Sequence, residues 1–350
     1  MAARTFSDLV DGEVAGPCPP TDAAVVELAS EVLTVSLVAL GAATHRVLAP
    51  DRDGVPSDVH LHLGSLAERA DRARNPHLGS SIGRWAGRIG GATFPLDGRS
   101  VVLDANQGSN QLHGGPDGFD RRRWDVLDVA STAGGGAVVF GLTSPDGDQG
   151  FPGRLDATAT YELEGDRLTI TYRATTDAPT VVNLCHHGYW NLDGGLAPGV
   201  AGPIDDHVVA VAAERVLPVD DGGLPTGEPI PVSGTPTDLG SPTALGPALA
   251  ALDGGFDHTY AIDGEPGAVR PAAWLLSPRT GRRLAVETDQ PGLQVYSGDH
   301  LRPPFAPRSS LSLEAQRFPD SPNRPALGPS RLDPGQEYAS TTTFTFGTDA

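Results

Sequence analysis

Lysine is absent. All 25 basic residues of this 350-residue chain are arginine. That removes Schiff-base catalysis, the phosphate-gripping lysine of a P-loop and lysine general bases. Cysteine is scarce: Cys18 and Cys185 lie far apart and form no CxxC pair, which excludes a disulfide framework or a cysteine-rich zinc site. Positive charge is outnumbered by 44 acidic residues, leaving a formal net charge of −19. Nucleic acid and anionic membrane surfaces require the opposite, a basic face. No apolar run reaches transmembrane length, and the opening MAARTFSDLVDGEVAGPCPP has no apolar leader core, so a cytoplasmic location is expected. Helical periodicity is nearly missing. Only LGSLAERADRAR (63–74) and PTALGPALAAL (242–252) offer a turn or two.

Strand signals, by contrast, recur throughout. VVELASEVLTVSLVALGAATHRVLAP holds two or three β-rich runs. ATFPLDGRSVVLDAN places Asp97-Gly98 between alternating apolar residues, a strong hairpin signal. In LDATATYELEGDRLTITYRATT, Ala157, Ala159, Tyr161 and Leu163 alternate, a Glu-Gly-Asp turn follows, and Leu168, Ile170 and Tyr172 resume the pattern. AAWLLSPRTGRRLAVETD repeats the design, and YASTTTFTFGT closes the chain with another alternating run. Short strands punctuated by 44 glycines and 32 prolines predict an all-β antiparallel sandwich or barrel. No composition break marks a second domain. Residues 1–22 read as a loose polar arm and 23–350 as one unit. DDGGLPTGEPIPVSGTPTDLGSP (220–242) reads as a long surface loop.

Five stretches carry polar residues that a sandwich does not need. In GSSIGRWAGRIGG, Arg84 and Arg88 are either stems on apolar surface or guanidinium groups aimed at a ligand. In NQLHGGPDGFDRRRWD, His113 precedes two glycines that let backbone pass close to whatever the ring faces; Arg121, Arg122 and Arg123 read as a solvated face. In NLCHHGYWNLDG, adjacent His186 and His187 point to opposite sides of a strand, one toward a polar cleft, with Tyr189 on the side of His187. In GGFDHTYAID, Asp257 follows a Gly-Gly-Phe bend, where an Asp ordinarily bonds its own backbone. In LSLEAQRFPDSPN, Leu311, Leu313 and Ala315 share one strand face, while Ser312, Glu314 and Gln316 share the other. His60 and His62 in HLH are a conceivable metal pair, but no HExxH spacing supports them. No GxSxG elbow and no cofactor motif occurs. What remains is a histidine able to exchange a proton near neutrality and a glutamate able to act as base.

Taken together, GRWAGRIGGATFPLDG, NQLHGGPDGFDRRRWD, SPDGDQGFPG, NLCHHGYWNLDG, GFDHTYAID, PGLQVYSGDHL and LEAQRFPDSPN resemble the aldose 1-epimerase, or galactose mutarotase, family, in family order from about residue 30 to the C-terminus. The resemblance implies a large antiparallel β-supersandwich, no metal or organic cofactor, and a free monosaccharide as partner of a monomer or homodimer. It implies interconversion of the α and β anomers of an aldose. The general base falls on Glu314, the general acid on His187 and a further active-site histidine on His113. Substrate binding falls on Arg88, Asp257 and Gln294. Three departures leave the sugar open among galactose, glucose, xylose and arabinose. Gly87 stands where the family usually has Asn, as does His186, and SGDHL replaces a common pattern after the glutamine. The rival readings are a hexose-6-phosphate epimerase, which needs arginines converging on a phosphate, and a non-catalytic sugar-binding protein.

Overall fold

The structure is a computed structural model that describes residues 4–5 and 24–349. Apart from Arg4–Thr5, which pair antiparallel with Ala24 and Val25, the N-terminal arm lies outside the described residues.

Local sequence accounts for the hairpins. Asp97 and Gly98 both take positive φ, 50° and 73°, the turn whose twist matches two antiparallel strands; Thr93–Leu96 and Arg99–Val102 pair across it. Leu155–Glu164 and Arg167–Thr176 pair along their whole length around Gly165-Asp166. Their alternating residues Ala157, Ala159, Tyr161, Leu163, Leu168 and Ile170 are buried.

These hairpins build a nine-stranded antiparallel sheet. Its order is Asp125–Thr132, Gly135–Ser144, Leu155–Glu164, Arg167–Thr176, Tyr338–Thr348, Arg282–Thr288, Arg270–Leu276, Val208–Val211 and Thr243–Ala244. A six-stranded sheet runs Tyr189–Trp190, Leu311–Gln316, Gly292–Tyr296, Asp257–Ala261, Arg215–Val216 and Ile230–Pro231. A third sheet contains Ala24–Ala29, Thr34–Val38, Ala43–Pro50 and Pro56–Asp58. One apolar cluster joins all three, with Val26 and Val35 from the third sheet, Ile170 and Phe344 from the nine-stranded sheet, and Leu293, Leu311 and Leu313 from the six-stranded sheet. Burying each such side chain contributes about 1.5–3 kcal/mol. Among the described residues α-helix is confined to two short pieces, Leu66–Ala70 and Leu245–Ala250, beside a few single 3-10 turns. Among the described residues no helix is long and apolar enough to cross a membrane.

The 220–242 loop departs from its reading as wholly irregular. Ile230–Pro231 pair with Arg215–Val216 as the last strand of the six-stranded sheet. Its first turn, at Asp220–Leu224, folds back on itself and bounds the cavity described next.

Candidate active site

The six-stranded sheet has one apolar and one polar face, and strand pairing aligns the polar residues. Thr259 pairs with Gln294, and Gln294 with Glu314. Asp257 pairs with Tyr296. Residues two apart share a face, so these five side chains stand together and line a cavity of about 290 Å³, at the small end of ligand pockets. Leu293, Val295, Leu311, Leu313 and Ala315 point the other way into the core. The alternation that places Glu314 opposite the leucines therefore also places it in the cavity.

The opposite wall comes from chain segments with unusual backbone. His113 sits at φ 53°, a left-handed conformation uncommon outside glycine and strained for most side chains. The glycine after it is required: a Cβ on Gly114 would lie 1.8 Å from the Gly83 carbonyl oxygen. Gly87, at φ 79°, donates its N–H to His113 Nδ1 at 3.2 Å, and its carbonyl accepts from the His113 N–H at 3.1 Å. Because Nδ1 accepts, the neutral ring carries its proton on Nε2, as a donor. The FPDSPN half of the Glu314 segment supports the next residue, Arg88. Asp320 N–H donates to the Arg88 carbonyl at 2.8 Å, and the Asp320 carboxylate accepts from Gly90 N–H and the Asn323 amide. The Arg88 guanidinium donates to Gln107 at 2.8 Å and lies 3.8 Å from Asp257.

His187 Nε2 lies 3.4 Å from Glu314 Oε1 on the cavity floor, with both side chains almost fully buried. Besides this imidazole, the carboxylate has the weak donor Cys185 Sγ 4.0 Å from Oε2. Burial, reinforced by Asp257 and opposed by Arg88, raises the Glu314 carboxyl well above its ordinary range. Burial, then His77 and His186, push His187 well below the ordinary imidazole range, against the pull of Asp120. Burial, then His77 and His187, lower His113 in the same way. A low-dielectric floor thus resists charge on either member of the Glu314–His187 pair, and a proton passing between them changes two groups at once. On the adjoining strands, Gln294 Nε2 donates to Asp257 Oδ1 at 2.6 Å, and Gln294 Oε1 accepts from the Thr259 hydroxyl. Asp257 therefore stands in a strand facing the cavity rather than capping a turn.

The structure brings together all six residues singled out from the sequence: Glu314, His187, His113, Arg88, Asp257 and Gln294 all line one cavity. It divides the histidine pair. His187 faces the cavity, with its ring stacked on Tyr189 at 4.9 Å, whereas His186 turns into the core and meets Thr44 Oγ1 at 3.0 Å. Other readings change. Arg84 is structural, donating to Ser144 and to the carbonyls of Pro145 and Pro152. Arg121 is not on a solvated face: it is largely buried, bonded to Asp120 at 2.8 Å, and reaches the cavity wall. His60 and His62 are buried; His60 accepts from Tyr189 N–H and His62 pairs with Asp58 at 3.3 Å. His77, Tyr296 and Gln316 also line the cavity. The period-2 pattern put Gln316 on the face of Glu314 and could have found Tyr296, which sits two residues from Gln294.

One donor set invites a metal. Ligand atoms of His113, His187 and Glu314 lie within 4.8 Å of one another. The Gly87 N–H bonded to His113 Nδ1 opposes it, because it holds the proton on the nitrogen that would have to bind the ion.

The arrangement is a polar cavity on a β-sandwich with a carboxylate and an imidazole on its floor. The family model "Aldose 1-epimerase" matches residues 24–345. The chain is 38% identical over 329 residues to the aldose 1-epimerase of Escherichia coli K12, covering 90% of this chain and 92% of that protein. It is 37% identical to the galactose mutarotase of Homo sapiens, covering 91% and 93%. Among solved structures, the galactose 1-epimerase of Lactobacillus acidophilus superposes with a TM-score of 0.83 at 27% identity, covering 96% of this chain and 97% of that one. An aldose epimerase homologue from C. elegans gives 0.84 at 26%, covering 94% and 100%. The chain belongs to the aldose 1-epimerase family.

Proposed function

We propose that the chain interconverts the α and β anomers of a free aldose by opening and reclosing the sugar ring. The observation that carries this reading is the buried Glu314–His187 pair at 3.4 Å on the floor of a sugar-sized cavity. With the pair's shared proton on His187, the Glu314 carboxylate takes the proton of the C1 hydroxyl as the C1–O5 bond breaks. The bond's electron pair goes to O5, which takes a proton from the His187 imidazolium. Rotation about C1–C2 presents the other face of the aldehyde. O5 then attacks C1, returns its proton to His187, and Glu314 reprotonates O1. Atoms and charge balance over the cycle, so no outside proton is consumed.

In this reading His113, protonated on Nε2 by the argument above, donates toward the developing charge on O5, a contribution of about 2.7–4 kcal/mol for an oxyanion donor. Arg88, Asp257 and Gln294 hold hydroxyls and set orientation. Residues 23–350 act as one unit in this reading, supported by the shared core beneath the sheets.

The phosphorylated-sugar alternative loses support. Arg84 is held by Ser144 and backbone carbonyls and Arg122 by Asp117 and Asp148, which leaves Arg121, bonded to Asp120 but with Nη1 unpartnered, as the one of these three at the cavity wall. Polarimetry on fresh α-D-galactose and α-D-glucose tests the reading. Faster approach to an unchanged equilibrium rotation is expected and ranks the two sugars. Acceleration with hexose 6-phosphates alone would overturn it in favour of the phosphorylated class.

A further inference from the structure

The His187 ring is backed by a second, unassigned imidazole. His77 stacks on it at 5.6 Å with 28° between planes, and meets His113 edge-on at 4.9 Å. It is held there from behind, since His77 Nδ1–H donates to Asp120 Oδ2 at 2.7 Å. Asp120 is fixed in turn by Arg121 Nε at 2.8 Å. The His77 backbone sits at φ 67°, a left-handed conformation uncommon outside glycine and retained where surrounding structure over-determines it. A buried carboxylate bonded to an imidazole on the wall of a reaction cavity is more than core packing requires.

We propose that Asp120, acting through His77, is a positioning residue for the acid, holding the His77 ring flat against His187 and keeping a fixed negative charge behind the imidazole that must become an imidazolium. The inference rests on the acid role given to His187 above. His186 and Tyr189 belong to its own segment, His113 meets it edge-on at 5.3 Å, Glu314 faces it from the neighbouring strand, and Arg121 stands behind Asp120. Burial opposes charge on the Asp120 carboxylate, but His77 and Arg121 outweigh it and hold the group below the usual range, so it stays anionic. That charge, together with a backbone hydrogen bond at His187, favours protonated His187 against burial, His77 and His186.

The experiment compares wild type, Asp120→Asn and His77→Asn by mutarotation of galactose across pH 5–9, with circular dichroism as a fold check. Asp120→Asn is expected to lower kcat about tenfold with KM nearly unchanged, and to move the basic limb of kcat/KM down by about one pH unit. His77→Asn keeps a donor for Asp120 but loses the ring and its opposition to charge on His187, and is expected to lower kcat without moving the limb down. Titration of ¹⁵N-labelled histidine rings reads His187 protonation independently of turnover. A midpoint lowered by Asp120→Asn supports the proposal even if the assigned reaction is wrong. If Asp120→Asn fails to fold, loss of kcat in His77→Asn carries the test. Wild-type kcat, pH profile and ring titration in the folded variants would overturn it, whereas an inactive wild type would count against the reaction alone.

Discussion

Two histidine clusters lie on either side of the strand Cys185–His187. On the cavity side are His77, His113 and His187, with ring centroids 4.9–5.6 Å apart. On the core side are His45, His60, His62 and His186, with His45 5.1 Å from His62 and His60 6.4 Å from His186. Both are buried. Burial lowers basicity on both sides, at His113 and His187 and at His45, His60 and His186, the last to about 3. A perturbed imidazole is therefore no mark of a catalytic one here. The clusters differ in what the rings meet. The core rings meet a hydroxyl, a backbone N–H and the Asp58 carboxylate in closed surroundings. The cavity rings meet open volume and the Glu314 carboxylate.

The sharpest break would come from exchanging roles one residue apart. His187→Asn is expected to lower kcat by about 10²–10⁴-fold, the usual worth of a general acid, with thermal stability little changed. His186→Asn is expected to do the reverse, costing about 1–3 kcal/mol of stability through altered core packing with kcat little changed. Polarimetry and urea unfolding on both variants check this, and equal losses of kcat would erase the distinction.

Acid sharpens the comparison next. His45, His60 and His186 have folded pKa values below 6.5, the unfolded value. The unfolded chain therefore binds more protons, and stability falls as pH drops from about 6.5 toward 3. Glu314 acts in the opposite sense, because its raised carboxyl becomes easier to bury as pH falls. Asp58, also raised by burial, acts with Glu314, but several histidines against these two carboxyls predict a urea midpoint lower at pH 4.5 than at pH 7 by on the order of 1 M. A flat profile would mean that the core rings are not buried neutral.

The smallest effect lies on the binding wall. Gln294→Ala removes a hydrogen-bonding partner from both Asp257 and Thr259, and is expected to raise KM about tenfold with kcat within a few-fold. Initial-rate polarimetry over a range of sugar concentrations separates the two constants.

Much of this was legible beforehand. Period-2 alternation placed Glu314 and Gln316 opposite Leu311 and Leu313, and the adjacent histidines had to part. The motif resemblance supplied Arg88, Asp257 and Gln294, which alternation alone does not single out. What stayed hidden depends on contacts between distant segments. His77 enters the cavity through one left-handed residue and a hydrogen bond to Asp120, 43 positions away. Arg121 looked like part of a charged run because its partner, Asp120, is buried through the fold rather than by sequence pattern. His60 and His62 share a strand-like spacing, yet their neighbours come from Tyr189 and Asp58. The turn at Asp220–Leu224 packs Gly223 against Arg88, where a Cβ would lie 2.7 Å from the guanidinium carbon, a closeness that its Gly/Pro-rich composition does not announce.

The central claim is that Glu314 moves the proton that opens the ring. The most direct test is Glu314→Gln, a near-isosteric change that removes the base, followed by polarimetry for turnover and by calorimetry for binding of the sugar that wild type turns over. The account predicts turnover at the uncatalysed rate with sugar affinity within a few-fold of wild type. Turnover near the wild-type rate in a variant that still binds sugar would contradict it.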